Sequence, residues 1–189
     1  MKATEILMSE HQVIERMIAT LERATDLLEA GQEVPPEIFI EASNFIQGFG
    51  DGCHHKKEED VLFKAMAKNG MPASAGPIAV MLGEHETGRA YNRGMRAAAQ
   101  KMAAGDEAAA QEVIRNARGY ALLLTQHIAK ENQILFPMAD KIIPLAEQAA
   151  VVEGFEHVEH EETGEGVHEK YLGLVDQLEK EVSSIEIVE

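Results

Sequence analysis

Two stretches of the chain repeat one arrangement of side chains that can do chemistry. His54-His55-Lys56-Lys57-Glu58-Glu59-Asp60-Val61-Leu62-Phe63 and His127-Ile128-Ala129-Lys130-Glu131-Asn132-Gln133-Ile134-Leu135-Phe136 both read His, three residues, Glu, three residues, Leu-Phe. On an α-helix, residues four apart share a face, one turn above the other. An imidazole nitrogen and a carboxylate oxygen so placed converge on one metal ion. A single pair of this kind also arises by chance on solvated helix faces. Two copies with the same apolar sequel make metal binding the stronger reading.

The elements that must position these residues are long helices. A first helix is expected from about residue 3 to 30, with Thr4, Leu7, His11, Ile14, Ile18, Leu21, Thr25 and Leu28 on one stripe. Gly31 ends it, and Pro35-Pro36 open a second helix, about 36 to 68, that carries Ile46, Gly50, His54, Glu58 and Leu62 in line. A third, about 77 to 104, aligns Ile78, Met81, His85, Gly88, Asn92 and Met95. A fourth, about 106 to 140, aligns Val113, Tyr120, Leu124, His127, Glu131 and Leu135, and Pro137 is expected to kink or end it. Short connections imply an all-α, up-down-up-down antiparallel four-helix bundle over residues 1–142. Residues 143–189 form an acidic segment and a further amphipathic helix from about Val167, packed on the bundle through His168, Tyr171, Val175, Leu178 and Val182.

The histidines test that arrangement. His11 and His54 each lie roughly 21 residues from the turn near residue 33, about 32 Å along a helix. His85 and His127 lie roughly 20 and 22 residues from the turn near residue 105, about 30–33 Å. All four helices therefore bring one His to one level. A buried layer of four imidazoles and two carboxylates without metal would have to desolvate both acids, and Arg89 is the one cation on those stripes at that level. A pair of divalent cations compensates such a layer. With imidazole and carboxylate but no thiolate the donor set suits iron, with manganese or zinc as alternatives, and more than four ligands speaks against one structural zinc. The Glu-x-x-His pairs of ferritin-like di-iron bundles are absent; the one match, Glu165 to His168, straddles Gly166.

Composition narrows the classes. A formal charge of -16 argues against nucleic acid and anionic membrane surfaces as partners. There is no apolar run of membrane-spanning length, the N-terminus turns polar too early for a secretory signal, and the lone Cys53 excludes an internal disulfide. Cytoplasmic residence is the expectation.

Met8-Ser9-Glu10-His11, His54-x-x-x-Glu58-Glu59 with Leu62-Phe63, Glu84-His85-Glu86, and His127-x-x-x-Glu131 with Leu135-Phe136-Pro137 together resemble the hemerythrin-like (HHE cation-binding) proteins over about residues 3–140. The resemblance implies a non-haem di-iron centre with His11, His54, His85 and His127 as terminal ligands and Glu58 and Glu131 as bridges. It implies binding or sensing of dioxygen, or alternatively an enzyme acting on hydrogen peroxide or nitric oxide, or a role in iron homeostasis; a protein partner is not specified. Oxygen carriers of the family have a second histidine where this chain has Arg89, and a His–Asp spacing of five where it has His127 and Glu131. One ion thus lacks a ligand. His168 is the foremost candidate to replace it, and His55, turned about 100° from His54, the weaker one. His157, His160, Lys56 and Lys57 are expected in solvent. Gly50 and Gly88 either leave room for a small ligand or simply let helices approach.

Overall fold

The computed structural model describes residues 2–164 and 166–187, and all regular structure among them is helical. The α-helices are α1 (Ala3–Glu29), α2 (Pro36–Phe45), α3 (Phe63–Lys68), α4 (Gly76–Ala103), α5 (Ala110–Lys130), α6 (Phe136–Ile142), α7 (Gln148–His157) and α8 (Val167–Ser183). Two π-helical stretches, Ile46–His55 and Glu58–Leu62, join α2 to α3 in one continuous rod. Glu131–Leu135 joins α5 to α6 in the same way, and Val158–Thr163 extends α7.

Local chemistry sets the ends. Gly31, at φ 79°, takes the left-handed conformation after α1, and its N–H and that of Gln32 close onto the carbonyls of Leu28 and Leu27. Pro36 begins α2, where its missing N–H would have no partner anyway. Pro137 does not end the fourth rod. It sits in the first turn of α6, directly after a π-helical stretch, and the helix continues to Ile142. The hydrogen-bond ladder already skips a residue in a π turn, which accommodates proline's missing donor.

Helix α1 packs on α5, α5 on α4, α4 on α2, and α2 back on α1. Apolar side chains form two separate clusters. One holds Ile14, Leu21, Phe39, Phe49, Met95, Leu124 and Leu178; the other holds Leu7, Leu62, Phe63, Ile78, Leu135, Phe136 and Phe155. Between Leu7 and Ile14, between Phe49 and Leu62, and between Leu124 and Leu135, the buried positions include Glu10, His11, His54, His55, Glu58, His127 and Glu131. A polar layer is thus clamped between two hydrocarbon layers. Each large side chain buried there contributes about 1.5–3 kcal/mol, which offsets the cost of enclosing the acids.

Helix α8 lies on α1 and α2 through Tyr171, Val175, Leu178 and Val182, and Arg16 fastens it to Asp176 and Glu179. Helix α7 has no counterpart in the sequence reading. Val151 and Phe155 pin it beside α1 and the Glu58–Leu62 stretch. Among the described residues no helix is long and apolar enough to cross a membrane.

Candidate metal centre

Five imidazoles enter the polar layer: His11 from α1, His54 and His55 from the first π-helical stretch, His85 from α4 and His127 from α5. All are buried, none more than 4% exposed. Neighbouring residues of an α-helix diverge by about 100°, which would turn one of His54 and His55 away from the centre. The π-helical stretch inserts an extra residue into the turn, and both rings point inward.

The outer nitrogen of each ring is tied to an oxygen. Nδ1 of His11 meets Asn132 Oδ1 at 2.8 Å, and that of His54 meets Glu10 Oε2 at 2.8 Å. His55 Nδ1 lies 2.9 Å from Asp51 Oδ1, His85 Nδ1 2.7 Å from Glu59 Oε1, and His127 Nδ1 2.9 Å from Glu84 Oε2. With a carboxylate or amide oxygen accepting there, a proton sits on Nδ1 and the inner Nε2 is the nitrogen left to face a metal. That is how proteins orient imidazoles that bind metal. Cations back the carboxylates in turn: Lys57 on Glu10, Arg89 on both Asp51 and Glu59, and Lys130 on Glu84.

Two carboxylates stand inside this ring of nitrogens. Glu58 places Oε1 3.6 Å from His54 Nε2 and Oε2 3.4 Å from His85 Nε2. Glu131 places Oε2 3.2 Å from His11 Nε2 and Oε1 3.1 Å from His127 Nε2. The donors fall into two groups able to hold a cation, His11-His54-Glu58-Glu131 and His55-Glu58-His85-His127, which share Glu58. Each inner carboxylate therefore spans from one group to the other.

The layer is unsatisfied without a cation. All four oxygens of Glu58 and Glu131, and His11 Nε2, are buried without a hydrogen-bond partner, a condition that native interiors reserve for ions, water or function. His85 Nε2 and His127 Nε2 are 3.1 Å apart, so two lone pairs would face each other unless a proton or metal intervened. The donor set fits divalent cations of the iron, manganese and zinc kind.

The electrostatics agree. Burial beside Glu131 pushes the Glu58 carboxyl well above its ordinary range. Burial opposes charge on Glu131 too, but the imidazoles of His11 and His127, 3.2 and 3.1 Å away, hold it far below. Burial pushes His54 down to about 4 and His55 well below its usual value. It pushes Asp51 up to about 6 against the pull of Arg89.

Of the residues expected at the site, the structure brings together His11, His54, Glu58, His85, His127 and Glu131. It does not bring His168 to them. His168 falls in a separate group with Glu10 and Glu159, where the Lys57 ammonium already stands between the two carboxylates. His55 occupies the place suggested for His168, because π winding replaces the 3.6-residue period. Lys57 is also not a solvent residue: its side chain is fully buried, since it faces Glu10 and the C-terminal segment. His157 and His160 are exposed, and Glu165 lies outside the described residues. A Cβ at Gly50 would meet nothing within 4 Å, whereas one at Gly88 would touch Leu124 at 3.4 Å; space is left at the first and close packing explains the second. The sequence reading did not single out Asp51 or Asn132. Asp51 had a signal, since it precedes His55 by the same four residues that separate His54 from Glu58; Asn132 had none.

The sequence model of the family described as "Hemerythrin HHE cation binding domain" matches residues 2–139. The chain is also similar to proteins of Mycobacterium bovis and of two strains of Mycobacterium tuberculosis, each described as uncharacterized. Each is 26% identical over 178 residues, covering 94% of this chain and 69% of the relative. No solved structure matches.

Proposed function

Because the chain belongs to the hemerythrin HHE cation-binding domain family, we propose that it is a non-haem di-iron protein that binds or senses dioxygen inside an antiparallel four-helix bundle. The observation that carries this reading is the pair of donor groups sharing Glu58, with every inward imidazole held from behind by an oxygen. Bound iron would supply the redox chemistry and open coordination positions that dioxygen needs. His55, His85 and His127 would hold one ion and His11 and His54 the other, with Glu58 and Glu131 between them.

The protein's own contribution is arrangement. Glu10, Asp51, Glu59, Glu84 and Asn132 keep protons on the outer nitrogens, so that ligand exchange need not wait for ring rotation. Leu7, Leu62, Phe63 and Phe136 exclude water from one side of the layer. The His11–His54 side has two imidazoles where the other has three, and the space at Gly50 lies one turn from His54. A small diatomic ligand is therefore received on that side. Residence in the cytoplasm fits an intracellular supply of ferrous iron and belongs to the same reading.

Purified protein loaded anaerobically with ferrous iron should hold two ions per chain and develop charge-transfer absorption when dioxygen is admitted. A spectrum that oxygen leaves unchanged argues against the reading. The less-ligated side also suits peroxide or nitric oxide chemistry, and sustained peroxide turnover by the loaded protein would favour an enzyme.

A further inference from the structure

Lys57 is a charged side chain with no exposure at all. Its ammonium lies 2.5 Å from Glu10 Oε1 and 2.7 Å from Glu159 Oε2. The other oxygen of Glu10 accepts from His54 Nδ1 at 2.8 Å. A chain of contacts thus runs from the segment after α7 through Lys57 and Glu10 to an imidazole whose inner nitrogen faces Glu58. Glu159 lies beyond residues 2–139 that match the family.

The same segment is seated directly on the rod that carries His54, His55 and Glu58. Val151, Phe155 and Val158 are buried beneath it. Thr163 Oγ1 donates to the carbonyl of Gly52 at 3.0 Å, inside the π-helical stretch. Gly154 passes so near Val61 that an added Cβ would stand 2.7 Å from its Cγ1. These contacts leave Glu159 with a fixed place above Lys57, a third exposed at its outer end.

The division of charge gives this chain a consequence. Glu10 shares its two oxygens between an ammonium and an imidazole. With Glu159 present, Lys57 divides its attraction between two carboxylates. Without it, Lys57 draws on Glu10 alone, weakens Glu10 as an acceptor for the His54 proton, and makes His54 a poorer ligand. Partners of this kind typically alter metal affinity by about 10–100-fold.

We propose that Lys57 and Glu159 are positioning residues that latch the C-terminal segment onto the metal centre and set His54 as a ligand. The proposal rests on the dinuclear reading above, and two readouts separate their failures. The full chain and its Glu159→Gln, Lys57→Met and Glu161→Gln forms are compared, the last neutralising an exposed acid on the same stretch. Hydrogen exchange of the metal-free proteins is followed at residues 46–62. Release of anaerobically loaded ferrous iron to a chelator is followed in parallel. Glu159→Gln and Lys57→Met should both lose protection at 46–62 but not at 110–130. Glu159→Gln should release one of two ions roughly 10–100-fold faster, whereas Lys57→Met, which leaves Glu10 wholly to His54, should not. Glu161→Gln should match the parent in both. Parent-like exchange and release in Glu159→Gln overturns the latch, and equal acceleration of both ions overturns a positioning role for His54. If the parent takes up no iron, the dinuclear reading fails, and unchanged protection of 46–62 in Glu159→Gln then sinks the latch independently.

Discussion

The rings of His55 and His85 lie face to face, centroids 3.9 Å apart and planes 15° from parallel. They come from different rods, yet their supports converge. Asp51, behind His55, and Glu59, behind His85, both contact the guanidinium of Arg89, at 3.2 and 2.8 Å. The residue standing where oxygen carriers of the family have a further histidine thus braces two imidazoles of one donor group from outside.

His55→Ala is expected to remove a ligand from that group alone. Metal analysis after anaerobic iron loading should fall from two ions per chain towards one. The remaining ion should stay with His11, His54, Glu58 and Glu131. Retention of two ions with unchanged affinity would show that His55 is a packing residue.

Arg89→Met should act on the same ion without touching it. Asp51 and Glu59 lose their common cation, and burial already pushes Asp51 up to about 6. Both then hold their imidazoles less firmly, and affinity for one ion should drop by about 10–100-fold. Competition with a chelator reads this directly, and a drop shared equally by both ions would contradict the assignment.

His55 and Lys57 mark where the sequence stops being readable. The stripes through His11, His54, His85 and His127 follow a 3.6-residue period, so their level in the rods could be counted from the turns. The inward turn of His55 depends on π winding over Ile46–His55, which no residue type in that stretch announces. A lysine beside another lysine reads as an outer face, which puts Lys57 in solvent. What buries it is Glu159 on a helical segment distant in the chain, and such a partner shows only in three dimensions. Helix α7 is illegible for a related reason: its apolar residues Val151 and Phe155 are set among acids and a glycine, and tertiary contact with the rods decides its state.

Glu58→Gln separates the interests of fold and metal. Burial beside Glu131 raises the Glu58 carboxyl in the folded protein. A raised carboxyl means that metal-free stability is present at low pH and lost as pH climbs through the folded value. The amide removes that loss. Metal-free Glu58→Gln should be more stable than the parent at pH 8 by about 1–3 kcal/mol, or roughly 2–4 °C in Tm per kcal/mol. Loaded with iron, the order should reverse, because the shared ligand is gone and metal no longer stabilises the folded state. Calorimetric melts with and without iron test both halves, and a variant less stable in both states would refute the argument.

Metal uptake should release protons, and the groups involved fix the pH window. Burial opposes charge on His11 and His127, but Glu131 holds both above the ordinary value of 6.5. A raised imidazole stabilises the metal-free fold fully below its unfolded value, and that stabilisation disappears as pH rises through the folded value. Metal needs the same nitrogens deprotonated, so protons on His11 and His127 still compete with it above pH 6.5, until pH passes their raised values, and Glu58 adds another. His54, pushed down to about 4 by burial, is already neutral there and releases none. Apparent affinity should therefore climb with pH above 6.5 and level off once His11, His127 and Glu58 have ionised. Titration calorimetry in buffers of different ionisation enthalpy counts the protons directly. In Glu131→Gln the imidazoles lose the charge that raises them, and the climb should move to lower pH. An affinity that is flat from pH 6 to 9, with no proton released, would mean that Glu131 does not hold those imidazoles charged before metal arrives.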